Sequence, residues 1–174
     1  MCFADTTTTI TFDELDPGGD FSLIPDGYYG LQWNNWGVID GWDSVGGYEN
    51  GVISKNNVAF APYGDPSSIN YNGSFSLVSA YMTAAWQNGL QLEVKGLFND
   101  IVTYDHTYTL NETGPTLINF NYMGIDEVDF QVLSGQQQYV MDNLVVSIPV
   151  PEPSTLALVG LGALASLVAV HRKR

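Results

Sequence analysis

The chain of 174 residues is poor in cysteine and in positive charge. Cys2 is the only cysteine, which excludes an intrachain disulfide, a multi-cysteine zinc site and a redox dithiol. Residues 1–148 contain no arginine and hold only Lys55 and Lys95 against 18 Asp and Glu, a net charge of −16 by count. A surface of that sign repels phosphate backbones, so we expect no binding to nucleic acid.

Helical periodicity is absent before residue 154, and the chain instead shows short runs in which apolar and polar residues alternate. Residues 90–96 are one such run, and Asn99-Asp100 follows it as a turn that predicts a hairpin. About eight or nine short runs, separated by turn residues, are typical of a β-sandwich. The sequence therefore predicts an all-β, two-sheet antiparallel jelly roll of about eight or nine strands over residues 1–148.

The end of the chain differs in composition from the rest. Residues 149–154 contain three prolines and predict a stiff linker, because proline fits neither a helix interior nor a central strand. Thr155 to Val170 is an uncharged apolar run that would reach about 24 Å as a helix, against a hydrocarbon core of ~30 Å. The run ends in a basic cluster of Arg172, Lys173 and Arg174. We predict a transmembrane helix from Thr155 to Val170 within a tail at 155–174, with its basic end in the cytoplasm and the β domain outside.

The order of these parts resembles the PEP-CTERM sorting signal: Pro151-Glu152-Pro153, then the apolar run, then the basic cluster. The resemblance implies recognition by an exosortase, a membrane cysteine transpeptidase of Gram-negative bacteria that make exopolysaccharide. It implies a protein held in the inner membrane, cleaved near Pro-Glu-Pro and delivered to the cell surface or extracellular matrix. Upstream segments such as residues 75–81 are similar to PEP-CTERM proteins whose domain resembles galactose-binding-like and carbohydrate-binding-module jelly rolls.

Export also requires an N-terminal signal, and the first residues do not form a complete one. Phe3-Ala4 is consistent with the last part of a signal peptide that is cleaved after Ala4. The alternative is a start that is not the native one. The sequence leaves both interpretations open.

Carboxylates at the ends of the predicted domain make calcium the sharpest chemical hypothesis. Asp13 and Glu14 end the first predicted strand, and Asp142 lies in the last one. The terminal strands of a jelly roll are often neighbours, and Ca²⁺ takes about six to eight oxygen ligands. We predict a structural Ca²⁺ held by these three residues. The alternative is that Asp13 and Asp142 cap turns or accept hydrogen bonds from loops.

Three of the four tryptophans lie between residues 28 and 48. Trp33 is in phase with Leu31 and is predicted to lie in the core. Trp36 and Trp42 stand beside glycine in less regular chain and are predicted to be exposed carbohydrate-binding residues, because sugar rings offer apolar C–H faces to flat aromatic rings. The alternative is that all four tryptophans pack inside the sandwich.

The sequence contains no nucleophile elbow, phosphate-binding loop or His-Glu-x-x-His zinc motif. Asp105 and His106 are adjacent in a predicted strand, so their side chains point to opposite faces. We therefore predict a non-enzymatic surface or extracellular-matrix protein that binds exopolysaccharide. The alternative is a secreted polysaccharide hydrolase with an acidic pair. Paired carboxylates such as Asp126, Glu127 and Asp129 are so abundant that the sequence nominates no particular pair.

Overall fold

The computed structural model describes residues 3–133, 135 and 137–151. In that part the chain is all-β, with three single-turn helices between the strands. The strands are β1 (Phe3–Ile10), β2 (Ser22–Leu23), β3 (Gln32–Asn34), β4 (Gly37–Asp40), β5 (Asn57–Phe60), β6 (Ser67–Ala84), β7 (Leu90–Phe98), β8 (Ile101–Leu110), β9 (Thr116–Val132) and β10 (Tyr139–Pro151). The helical turns are 3-10 (Tyr28–Gly30), α1 (Gly47–Asn50) and 3-10 (Pro62–Gly64).

Within the described residues the strands form one hydrogen-bonded network in the order β2-β4-β5-β10-β6-β9-β7-β8, with β1 beside β10 and β3 beside β6. The pairings with a described register are all antiparallel. This confirms the all-β antiparallel prediction and raises the strand count to ten in the described part. The β7–β8 hairpin turns at Asn99-Asp100 as predicted, with φ of 51° and 62°.

The two longest strands fold over, which gives the network two layers. The first part of β6 pairs with β3 and the second part of β9, whereas its second part pairs with β10 and the first part of β9. Phe120 and Phe130 would lie about 33 Å apart in a straight strand, yet their ring centroids are 6.4 Å apart. The main apolar core therefore lies between two layers, and the fold is sandwich-like.

Residues Thr7–Ile148 form one compact unit. Strand β10 continues to Pro151, so residues 149–151 are extended chain, and the prediction of a linker at 149–154 stays a prediction. Proline fits there because its fixed φ is compatible with extended backbone at the end of a strand.

Most of the predicted sorting tail lies outside the described residues. This applies to Glu152 and Pro153, to the span from Thr155 to Val170 and to the basic cluster. Among the residues that are described, none of the helices is long and apolar enough to cross a membrane.

Candidate functional site

A second, smaller apolar cluster lies on the outer side of β5. Ala59 belongs to the main core, whereas Val58 and Phe60 pack on the other side with Tyr48 of α1. All four residues of β5 are buried, as expected of a strand that is covered on both faces. We call this covered surface the capped face. It consists of Tyr48, Val58, Phe60, Ala85 and Val140.

A groove of about 460 Å³ opens at the margin of the capped face, within the range of small-molecule sites. Four aromatic side chains line it in a row of edge-to-face contacts. The ring centroids are 5.3 Å apart for Phe21 and Phe60, 5.5 Å for Phe60 and Tyr48, and 5.4 Å for Tyr48 and Trp86. We call this feature the aromatic groove. Each ring is held by its neighbour, so the apolar side of the groove is preformed.

Trp86 is the most exposed member of this row, with 53% of its surface accessible to solvent. Its indole N–H donates to the Gln138 side-chain oxygen at 2.9 Å. The Gln138 backbone oxygen accepts the Ala85 N–H at 3.0 Å. Gln138, just before β10, and the chain at the end of β6 therefore orient the indole ring, while much of the ring surface remains open to solvent.

Two glycines allow the segments that cover the capped face to lie close to the strands. A Cβ on Gly47 would stand 1.8 Å from the Ala84 carbonyl oxygen, so α1 can dock on the end of β6 only with glycine there. The Gly47 N–H donates to the Ala85 oxygen at 2.8 Å. A Cβ on Gly37 would stand 2.8 Å from the Phe60 ring. Glycine at both positions thus makes room for the aromatic row.

The other wall of the groove is polar and acidic. It includes Asp20, Asp40, Asp43 and Ser44, and none of the described lining residues is basic. Asp40 is fixed, because its Oδ1 accepts the Trp42 N–H at 2.9 Å and its Oδ2 accepts the Asn56 side-chain amide at 3.3 Å. Asp20 and Asp43 are exposed. The groove therefore combines an aromatic wall with a wall of oxygen acceptors.

The two tryptophans predicted to bind sugar, Trp36 and Trp42, lie in different environments. Trp33 lies in the core as predicted. Trp36 is only 1% exposed, with its ring 5.2 Å from Phe130 and 5.7 Å from Tyr139, so its prediction as an exposed sugar-binding residue is wrong. Its buried position follows from edge-to-face packing between the layers, and the irregular sequence around it gave no period from which to assign a face.

Trp42 is exposed as predicted, at 56%. Its indole N–H donates to the Lys55 carbonyl oxygen at 2.6 Å. Trp42 is not among the described lining of the aromatic groove, although its neighbours Asp40 and Asp43 are. A role for Trp42 in carbohydrate binding stays a prediction. The sequence reasoning missed Trp86, whose signal was its place at the end of an alternating run, just before the Asn88-Gly89 turn.

Asp142, predicted as a calcium ligand, is fully buried in β10 and surrounded by hydrogen-bond donors. Its Oδ2 accepts the backbone N–H groups of Ile53 at 2.7 Å and Ser54 at 2.8 Å. Its Oδ1 accepts the Ser54 hydroxyl at 3.1 Å and the Asn143 N–H at 2.6 Å. Burial raises the pKa of Asp142, and these N–H groups oppose that rise. The carboxyl group fastens the loop at residues 52–56 to β10.

Asp13 contacts the same stretch of chain. Its Oδ1 accepts the backbone N–H groups of Asn56 and Asn57, both at 3.2 Å. Hydrogen bonds from loops were the alternative to calcium, and N–H donors occupy the lone pairs that a cation would need. Among the residues that the structure describes, no group of three or more His, Cys, Asp or Glu could hold a metal ion. Structural Ca²⁺ at Asp13, Glu14 and Asp142 stays a prediction.

A different surface, on the outer side of β7 and β9, is uncovered and polar. Glu127 and Asp129 lie on one side of β9 beside a cavity of about 260 Å³, and Lys95 is the register partner of Asp129. Burial, and then the charge of Glu127, raises the pKa of Asp129 to about 6. Lys95 forms an ion pair with Glu93 at 2.6 Å. We call this surface the open face.

Solved structures with a similar course of the chain come from several kinds of protein. A family 2 carbohydrate esterase from Cellvibrio japonicus shares 13% identity at a TM-score of 0.44, over 85% of this chain and 36% of that one. This chain thus spans about a third of the esterase. A cyclase from Fischerella sp. TAU shares 12% identity at 0.47, over 84% and 100%. CBM29_1, a family 29 carbohydrate-binding module from Piromyces equi, shares 14% identity at 0.43, over 88% and 97%. No ligand or reaction follows from likenesses this distant.

The sequence comparisons concern the other end of the chain. No curated protein matches the chain. Residues 149–173 match the PEP-CTERM protein-sorting motif, which agrees with the order of the Pro-Glu-Pro sequence, the apolar run and the basic cluster. That motif indicates an exported protein of Gram-negative bacteria that is anchored in the membrane before an exosortase processes it. The chain therefore carries the PEP-CTERM sorting motif behind an all-β domain.

Proposed function

We propose that the exported domain is a non-enzymatic surface or extracellular-matrix protein and that it binds polysaccharide in the aromatic groove. The observation that carries this proposal is Trp86, which is half exposed and held in one orientation by Gln138. A rigid aromatic ring on the wall of a preformed groove is suited to stack against the apolar face of a sugar ring.

The chemistry of both walls supports a sugar ligand. Val45 and Trp86 leave large exposed apolar surfaces at the groove, and contiguous exposed apolar surface is typical of binding sites. The lining also includes Asp43 and Ser44, whose oxygens accept hydrogen bonds from sugar hydroxyl groups. Apolar and hydroxyl surfaces alternate around a sugar ring, so a groove with both kinds of wall can contact both.

The test is affinity electrophoresis of the folded protein in gels that contain soluble polysaccharides. Trp86→Ala should lower the affinity read from the retardation about 5- to 150-fold, since stacking of a nucleic-acid base on an aromatic side chain, the comparable case, is worth about 1–3 kcal/mol. Trp42→Ala is the matched control, because Trp42 is equally exposed but lies outside the groove lining. Loss of retardation in Trp42→Ala but not in Trp86→Ala would assign binding to Trp42 and refute the groove.

The sorting tail supports a final location outside the inner membrane. We propose that exosortase cleavage near Pro151-Glu152-Pro153 releases the domain to the cell surface or matrix, where exopolysaccharide is at hand. Replacing these three residues by alanine in a host that carries an exosortase should leave uncleaved protein in the membrane fraction. Equal release of this variant and the wild type would refute the role of the three residues.

The hydrolase alternative has one specific observation in its favour. On the open face, burial and the charge of Glu127 raise the pKa of Asp129 to about 6, and a glycosidase uses a carboxyl group with a raised pKa as its general acid. Assays for new reducing ends on the polysaccharides that the protein binds would decide. Activity that is lost in both Asp129→Asn and Glu127→Gln would replace the binding proposal.

A further inference from the structure

The charges of the aromatic groove restrict which glycans it can hold. We infer that its ligand is a polysaccharide with free primary amines, an inference that rests on the proposed function of the groove. Asp20, Asp40 and Asp43 line the groove, and none of its described lining residues is basic. A ligand in contact with this wall therefore meets uncompensated negative charge.

The acidic wall continues beyond the aromatic groove. A neighbouring cavity of about 510 Å³ shares Asp40 and Asp43 with it, as well as the turn at Pro17-Gly18. This cavity adds Asp13, Asp16 and one cation, Lys55. The wall between the two cavities is thus acidic on both sides, and a chain that lies along it passes several carboxylates. Such a path fits an internal stretch of polymer better than a single terminal sugar.

The structure fixes one of these carboxylates and leaves another free to bind. Asp40 is held by the Trp42 N–H and the Asn56 side chain, so it contributes charge at a constant position. Asp43 is exposed on the following turn, where it can pair with a ligand ammonium group. A cation next to Trp86 is further attracted by the face of the indole ring.

The same charges discriminate against other glycans. Glycans that carry carboxylate or sulfate groups are repelled by the acidic wall, and this repulsion adds to selectivity. A neutral, N-acetylated glycan keeps the stacking contact with Trp86 and the hydrogen bonds of its hydroxyl groups, but it forms no ion pair with the carboxylates. Amine, neutral and anionic sugars should therefore bind in that order of affinity.

Isothermal titration of three oligosaccharides of equal length tests this order: a β-1,4-glucosamine oligomer, its fully N-acetylated counterpart and an oligogalacturonate. At low salt we expect the amine oligomer to bind up to about fivefold more tightly than the acetylated one, since one exposed ion pair is worth up to about 1 kcal/mol. Asp43→Asn should reduce the affinity for the amine oligomer by about two- to fivefold and leave the acetylated oligomer unchanged.

Controls separate the groove from general attraction to an acidic protein. Asp100→Asn removes the same charge from a turn whose φ of 62° asparagine tolerates equally well, and it should change nothing. Trp86→Ala keeps every charge and should weaken both oligomers. Equal affinity for the amine and acetylated oligomers overturns the inference while the proposed function stands. Binding of oligogalacturonate only in the presence of Ca²⁺ would also overturn the inference, because calcium would then bridge the acidic wall to an anionic glycan. Failure of every oligomer to bind, or binding unaffected by Trp86→Ala, overturns both.

Discussion

The capped face and the open face belong to the same sandwich but differ in what covers them. On the open face, β7 alternates strictly, with Leu90, Leu92 and Val94 buried and the residues between them at the surface. On the capped face, β5 is buried at every position, because α1 and the Phe21 segment lie over its outer side. Solvent on one side gives a strand its alternating pattern, and a cover removes that pattern.

The cover also creates the candidate binding site. Helix α1 has only four residues and leaves Trp86 and Val45 exposed at its margin. The open face is polar and uncovered. Among the described residues that line its cavity of about 260 Å³, Phe130 is the only aromatic one. The groove is therefore a consequence of incomplete covering, and changes to the cover should affect the capped face alone.

Among changes to the covering segments and their loop, the largest effect is expected from Gly47→Ala, which disturbs the docking of α1. The new Cβ would stand 1.8 Å from the Ala84 oxygen, and backbone on both sides must shift to admit it. Such overpacking should cost about 3 kcal/mol of unfolding free energy, measured by urea denaturation. Gly114→Ala is the control, because its Cβ would meet nothing within 4 Å. Equal midpoints for the two variants would show that α1 is not docked as described.

The covered half of the molecule is also the half that the sequence predicts least well. The alternation of β7 and the Asn99-Asp100 turn predicted the hairpin correctly, because each signal is local. The short apolar run Val58-Ala59-Phe60 indicated a strand but not its cover, since residues distant in sequence supply that cover. Trp86 and Gln138 meet for the same reason, and no local pattern announces a contact between residues 52 positions apart.

The next effect concerns the loop at residues 52–56, which borders the capped face. Asp142→Ala should lower the unfolding free energy by about 1–3 kcal/mol, because it leaves the partly buried N–H groups of Ile53 and Ser54 without an acceptor. Asp142→Asn keeps one carbonyl oxygen and should cost less. Thermal melting of the wild type and the two variants gives the order of their stabilities. An Asp142→Ala protein as stable as the wild type would refute this account.

The same melting experiment separates hydrogen bonding from calcium. If Asp13, Glu14 and Asp142 hold Ca²⁺, chelator at constant ionic strength lowers the melting temperature of the wild type, and calcium restores it. If the carboxylates serve only as acceptors for the loop, chelator changes nothing while Asp142→Ala still destabilises. The two accounts thus predict opposite responses of one protein.

On the open face, a smaller and pH-dependent effect is expected from Asp129. Its pKa is raised from 3.8 to about 6 in the folded state, so the folded protein binds more protons than the unfolded chain between those values. Its contribution to stability is therefore full below about pH 4 and is lost as the pH rises through about 6. Two pKa units correspond to about 3 kcal/mol, and solvent screening at this partly exposed site reduces the expected change to about 1 kcal/mol.

Asp129→Asn should remove that part of the pH dependence, and Asp100→Asn should not. Urea denaturation at pH 4 and pH 7 measures both variants against the wild type. An Asp129→Asn protein with an unchanged difference between the two pH values would show that Glu127 and burial do not hold the proton.

The smallest effect on stability, and the sharpest test of the capped face, is Trp86→Ala. The ring is half exposed, so its removal forfeits little buried area, and we expect a loss of less than about 1 kcal/mol of unfolding free energy. Trp36→Ala is the comparison, because Trp36 packs between Phe130 and Tyr139 and should cost about 3–5 kcal/mol. A residue that contributes little to stability but is required for polysaccharide binding serves the binding site rather than the fold. If Trp86→Ala instead destabilises as much as Trp36→Ala, loss of binding would follow from unfolding, and the groove would be part of the core rather than a site.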